Sequence, residues 1–139
     1  MSFIFKKKED NRCFTYFRIA GNFNPDEVTE KIGLKPYEAW KIGDKRKNDS
    51  IFDFAAWHFG KCEVYNDNIN EQIKETIQPL LDKIDILNQI REENDVSFHL
   101  EIVPYLCSTN STPCLAPSLE VMDFCTATRT EIDIDLYID

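Results

Sequence analysis

Hydrophobic and polar positions along this chain recur with two periods, and the switches between them mark the elements. Arg12-Cys13-Phe14-Thr15-Tyr16-Phe17-Arg18-Ile19-Ala20 is aromatic and β-branched, alternates, and stops at Gly21, which is a strand pattern. Asn24-Pro25-Asp26-Glu27 then reads as a helix start. Asn24 suits the N-cap, Pro25 the first helical position, and Glu27 the third, reaching back as in a capping box. Val28 and Ile32 share a face, and Gly33 closes the helix at C′. Trp40-Lys41-Ile42-Gly43-Asp44 reads as a short strand running into a turn, followed by an exposed polar loop over Lys45–Ser50. Strand character resumes from Phe52 to Gly60, with Trp57 and Phe59 on one face and His58 on the other.

Between Asn68 and Asn94 the period lengthens. Ile69, Ile73, Ile77, Leu80, Leu81, Ile84, Leu87 and Ile90 form one apolar stripe, with Asn68 and Glu71 as a capping pair. Pro79 must kink or split this helix, because it removes a backbone donor and clashes one turn back. Val96, Phe98, Leu100 and Ile102 then alternate with Ser97, His99 and Glu101, a half-buried strand. Cys107 to Cys114 has loop composition. Ser118–Thr128 is a third helix, with Leu119, Met122 and Cys125 or Thr126 inward. Ile132, Ile134, Leu136 and Ile138 alternate with Glu131, Asp133, Asp135 and Tyr137, a closing strand with one buried face.

This order makes a single α+β domain over residues 1–139, with residues 1–11 loosely attached. Its first six elements match the βαββαβ pattern of ferredoxin-like folds, extended by a C-terminal helix and strand, with the helices packed on one sheet face. The length suits one domain with its own core.

Charge narrows the partners. With 25 acidic against 16 basic residues the net charge is −9, which repels phosphate backbones and anionic membranes. Nucleic acid and membrane are therefore excluded as expectations, and a basic protein partner is favoured. Solubility alone also explains such a charge. The oligomeric state is not legible. The 5 cysteines lack a CxxC pair, the apolar start before Lys6-Lys7-Lys8 is too short for a signal-peptide core, and no stretch nears the roughly 18 apolar residues of a membrane span. Reduced thiols in a cytoplasmic setting follow as the expectation.

Several pieces in their order resemble a bacterial family catalogued as domain of unknown function 4279. They are Tyr16-Phe17-Arg18-Ile19-Ala20-Gly21, Asn24-Pro25-Asp26-Glu27-Val28-Thr29, Gly33-Leu34-Lys35-Pro36, Trp40-Lys41-Ile42-Gly43-Asp44, Trp57, and Ile132-Asp133-Ile134-Asp135-Leu136-Tyr137-Ile138. The resemblance implies no activity, substrate or cofactor, and it weakens over Cys107–Pro117, where the loop is long. Small acidic bacterial domains of this general kind often serve as immunity proteins beside toxin genes.

The candidate chemistry lies on polar strand faces. If those faces share the side left bare by helices, Tyr16, Arg18, His58, His99, Glu101, Glu131, Asp133 and Asp135 lie together and can bind a metal, a polar ligand or a protein. Period-two alternation alone also yields such a list. Cys107 and Cys114 are too far apart for a zinc signature, so no metal site and no cofactor is expected. Glycines too dispersed for a phosphate loop, and the lack of a local Cys–His signature, argue against catalysis. Trp40 beside the turn at Asp44 is an anchor residue on a polar loop, although it also suits the edge of a core. The favoured reading is a non-enzymatic protein-binding module, such as an immunity-type inhibitor of a basic toxin. The alternative is a small ligand-binding protein or enzyme using the face around His58 and His99.

Overall fold

The computed structural model describes residues 10–64 and 68–139. Along the described chain run β1 (Arg12–Asn22), α1 (Pro25–Ile32), β2 (Glu38–Trp40), β3 (Ala55–Val64), α2 (Ile69–Ile77), α3 (Ile84–Glu93), β4 (Asp95–Leu106), α4 (Leu119–Thr128), β5 (Glu131–Ile134) and β6 (Tyr137–Ile138). The expected α+β class holds. Residues 1–9 of the expected loose N-terminus lie outside the described residues, while Asn11 is buried. Asn11 accepts from the Cys107 N–H at 2.8 Å and donates to the Ser111 carbonyl at 3.0 Å, tying down the long loop.

Local signals explain the helix boundaries. Asn24 caps α1 by accepting from the Asp26 N–H at 3.0 Å, and Gly33 ends it in the left-handed region at φ 77°. Asn68 caps α2 through the Glu71 N–H. Pro79 does split the long helical pattern: α2 ends at Ile77, a single 3₁₀ turn spans Gln78–Leu80, and α3 begins at Ile84.

The sheet runs β2-β3-β1-β4-β5, with β6 also on β4. β1 is antiparallel to β3 and β4, β2 is antiparallel to β3, and β5 and β6 are parallel to β4. One face carries Phe17, Ile19, Trp57, Phe98, Leu100 and Ile102, packed with Ile32, Ile73, Ile77, Leu87, Ile90 and Phe124 of the helices. Each such buried side chain contributes about 1.5–3 kcal/mol from removal of apolar surface. Trp57 satisfies its Nε1–H on Thr29 Oγ1 at 2.9 Å, which fixes α1 against β3.

Between Thr15 and Phe17 the β1–β3 ladder slips. Thr15 faces Cys62 and Phe17 faces Phe59, so β3 carries one extra residue there, and Gly60 takes φ 74°. The Gln72 side-chain amide donates to the Cys13 carbonyl at 2.7 Å and the Cys62 carbonyl at 3.0 Å, and Thr15 and Thr76 hydroxyls meet at 2.7 Å. These bonds fasten α2 across the bulge.

Three expectations need correction. The third strand begins at Ala55, not Phe52, because Phe52 and Phe54 turn back to pack on Trp40. In α4 the inward stripe is Val121, Phe124, Cys125 and Thr128, while Leu119 and Met122 face outward. Burying Phe124 sets that phase. The closing strand is not one buried-face strand: it breaks into β5 and β6, and Ile132, Ile134, Leu136 and Ile138 are all exposed. They sit at the sheet's edge, where the helix layer leaves them largely uncovered.

Leu100, at 0% exposure, should therefore cost about 2–5 kcal/mol on truncation to Ala. Ile134, at 47%, should cost no more than about 0.5 kcal/mol, as ordinary surface changes do. Urea titrations compare them directly, and equal losses would refute the edge placement of β5.

Candidate functional site

The sheet face opposite the helices is built by alternation. Phe14, Tyr16 and Arg18 point away from the side chains of Cys13, Thr15 and Phe17, which enter the core. The bulge at Gly60 keeps both His58 and Lys61 on this second face, and the Lys61 ammonium lies over the rings of Phe14 and Tyr37. Without the extra residue, alternation would turn Lys61 toward α2.

Register aligns one row across five strands. Glu38 pairs with His58, His58 with Arg18, Arg18 with His99, and His99 with Glu131. A neighbouring row holds Tyr16, Glu101 and Asp133. The face thus gathers His58, His99, Glu101 and Asp133 of the sequence-derived candidates, and Asp135 follows at the end of β5.

The His58 half is sealed. His58 is 4% exposed, and its ring is walled by Tyr16 at 5.0 Å, Trp40 at 5.1 Å and Tyr37 at 5.9 Å between centroids. Its Nδ1 lies 3.0 Å from Glu38 Oε1. Burial, then the nearby Arg18 guanidinium, pushes the imidazole pKa down against the opposing pull of Glu38. The neutral ring must then carry its proton on Nδ1, donated to Glu38, leaving Nε2 as a lone-pair acceptor. Nε2 has no hydrogen-bond partner among the described residues. Trp40 stacks on Phe52 at 4.2 Å and donates Nε1–H to the Phe54 carbonyl at 3.0 Å, so it roofs this half of the face. Asp44 stands apart from the cluster and closes its own turn, accepting from the Lys41 N–H at 2.8 Å.

The Glu101 half is different in kind. Glu101 is 7% exposed, and its carboxyl is pushed up to about 7, first by burial and then by Asp133, with Asp135 adding to the effect and Arg18 opposing it. A carboxyl–carboxylate hydrogen bond to Asp133 needs a proton on Glu101, which adds to the effect of burial in raising its pKa. Asp135 also accepts from the Tyr137 hydroxyl at 3.0 Å. His99 rests at the margin, with Nε2 2.9 Å from Ser97 Oγ and Nδ1 3.8 Å from Glu131 Oε2.

Glu38 and Tyr37 are the components that sequence reasoning missed. The only local signal for Glu38 is its place two residues before Trp40, inside β2, whereas the sequence reading starts that strand at Trp40. Among the described residues no group of three or more His, Cys, Asp or Glu side chains has the geometry to hold a metal ion. Burial pushes the Cys13 and Cys125 thiols up to about 11, so both are protonated and poor nucleophiles. The face can therefore recognise charge and hold a proton near neutrality.

The raised Glu101 pKa sets a pH dependence. The folded chain binds this proton more tightly than the unfolded chain, so its stabilising effect is full below about 4.5 and is lost as pH rises through about 7. Glu101→Gln, which mimics the protonated form, should flatten the stability profile across that window in chemical denaturation at several pH values. An unchanged profile would show that Glu101 is ionised throughout.

No curated protein and no solved structure matches the chain. No described helix is long and apolar enough to cross a membrane. Residues 11–139 match the family model described as Domain of unknown function (DUF4279), and the chain belongs to that family.

Proposed function

We propose that this protein is a non-enzymatic binding module that recognises a basic protein through the acidic corner where β4 meets β5. An inhibitor of a basic toxin is one instance of such a module. The observation that carries the reading is the gathering of carboxyls where β4 meets β5: Glu101 pairs in register with Asp133, and burial first, then Asp133 and Asp135, push its carboxyl up to about 7 against the opposing pull of Arg18. An arriving ammonium or guanidinium relieves that repulsion and lets Glu101 ionise. The net charge of −9 steers the encounter in the same sense.

The antiparallel order β2-β3-β1-β4 supports a ferredoxin-like reading of the first six elements. The five cysteines, all free, support a reducing, cytoplasmic location. A second reading, a small-ligand site or enzyme at His58 and His99, draws on the unpartnered Nε2 held by Glu38. Its weakness is that the imidazole is closed off by Tyr16, Tyr37 and Trp40.

A fluorescent lysine-rich peptide should bind at low salt and weaken toward about 1 M, where the screening length falls to about 3 Å. Asp133→Lys with Asp135→Lys should abolish binding, while Glu71→Lys with Glu75→Lys, an equal charge change on α2, should leave most of it. Equal losses from both pairs would reduce the effect to net charge and remove the corner as a site.

A further inference from the structure

β5 is the last strand of the sheet, and its edge is guarded by its length of 4 residues and by acidic side chains, which repel another acidic strand but not a basic one. Exposed edges are commonly blunted by proline, lysine or a bulge. Glu131-Ile132-Asp133-Ile134-Asp135-Leu136-Tyr137-Ile138 contains neither proline nor lysine. Asp135 donates its N–H inward to the Ile102 carbonyl at 2.9 Å, and Asp139 donates to Leu106 at 3.1 Å. Backbone groups alternate along a strand, so the N–H groups of Ile132 and Ile134 point away from β4. Among the described residues no strand lies beyond them.

Both flanks of this edge carry recognition features. On the helix side Ile132 is 37% and Ile134 47% exposed. There a groove of about 490 Å³ lies between α4 and β5, lined by Met122, Cys125, Thr126, Arg129, Thr130 and Ile132. On the opposite side Glu131 and Asp133 face outward beside Glu101, as their register with His99 and Glu101 requires. Arg129 in the groove repels a cation there, whereas the carboxylates on the other flank attract one.

We propose that this edge takes an extended segment of the basic partner as an added strand, its apolar side chains set into the α4–β5 groove and its alternating basic side chains against Asp133 and Glu131. The inference rests on the basic-partner reading and adds the mode of binding. Strand addition supplies affinity through main-chain hydrogen bonds and specificity through pockets for alternate side chains, and this edge offers both. Charge opposes a second copy as the occupant. Pairing β5 with another β5 brings Glu131, Asp133 and Asp135 of two chains together, each chain bearing −9.

The probe is a short blocked peptide alternating lysine with valine, titrated into the full chain by fluorescence anisotropy. Two comparison peptides are the same sequence N-methylated on the amides facing β5, and a peptide of equal composition with its lysines and valines segregated. The alternating peptide should bind at least tenfold more tightly than either, and the Ile132 and Ile134 amides should gain protection from hydrogen exchange on binding. Thr126→Trp, which fills the groove, should weaken binding at least tenfold without changing the unfolding midpoint. Equal binding of all three peptides with no gain in protection overturns strand addition and leaves the basic-partner reading standing. Failure of every lysine peptide to bind at low salt removes both. Protection of the same amides by self-association, seen in sedimentation as a dimer, overturns the proposal in favour of a second copy.

Discussion

The direction in which the side chains of β1 point governs the rest of this molecule. β1 is hydrogen-bonded on both sides, to β3 and to β4, so its alternation is imposed on its neighbours through register. Phe17 and Ile19 face the helices, and Tyr16 and Arg18 face away. A slip of one residue would exchange these sets, burying a guanidinium and exposing a phenyl ring. The Gly60 bulge, buttressed by Gln72 and Thr76, keeps β3 in phase at the point where the ladder is interrupted. A Cβ at Gly60 would lie 3.2 Å from the Thr76 carbonyl, so glycine relieves both the left-handed backbone and a tight approach of α2.

Two environments on the second face follow from that frame. Near β2, Tyr16, Tyr37 and Trp40 wall in His58, and the segment after Trp40 folds back to pack Phe52 and Phe54 on Trp40, which keeps the imidazole neutral and its Nε2 out of contact with solvent. Near β5 nothing in the described chain folds back, and carboxylates accumulate at an open edge. The first environment uses polar groups to hold the face together. The second leaves Ile132 and Ile134 exposed beside acidic side chains whose bonds are to one another and to Tyr137.

Much of the fold is legible in local sequence. Asn24, Gly33 and Asn68 mark helix ends because capping is a short-range interaction, and Pro79 splits its helix through its own ring. The shared face of His58, Arg18 and His99 also follows from period-two alternation, once each strand is recognised. What is not legible is what depends on neighbours distant in the chain. Ile132, Ile134, Leu136 and Ile138 read as a buried face, but alternation reports only that they share a side, and their burial depends on how far the helix layer extends. The pairing of Glu38 with His58 needs the β2–β3 register, and the phase of α4 needs the cavity that Phe124 fills. The acidic corner was visible as residues, whereas the coupling between Glu101 and Asp133 required the parallel β4–β5 pairing.

The central claim is that Glu101 holds its proton close to neutral pH because burial, and then the carboxyls of Asp133 and Asp135, outweigh the pull of Arg18. Titration of the ¹³C-labelled Glu101 carboxyl by NMR tests it directly. A midpoint of about 7 is expected in the free protein, with a downward shift in Asp133→Asn or on binding a lysine-bearing peptide. A midpoint in the ordinary glutamate range, unmoved by either change, would contradict it.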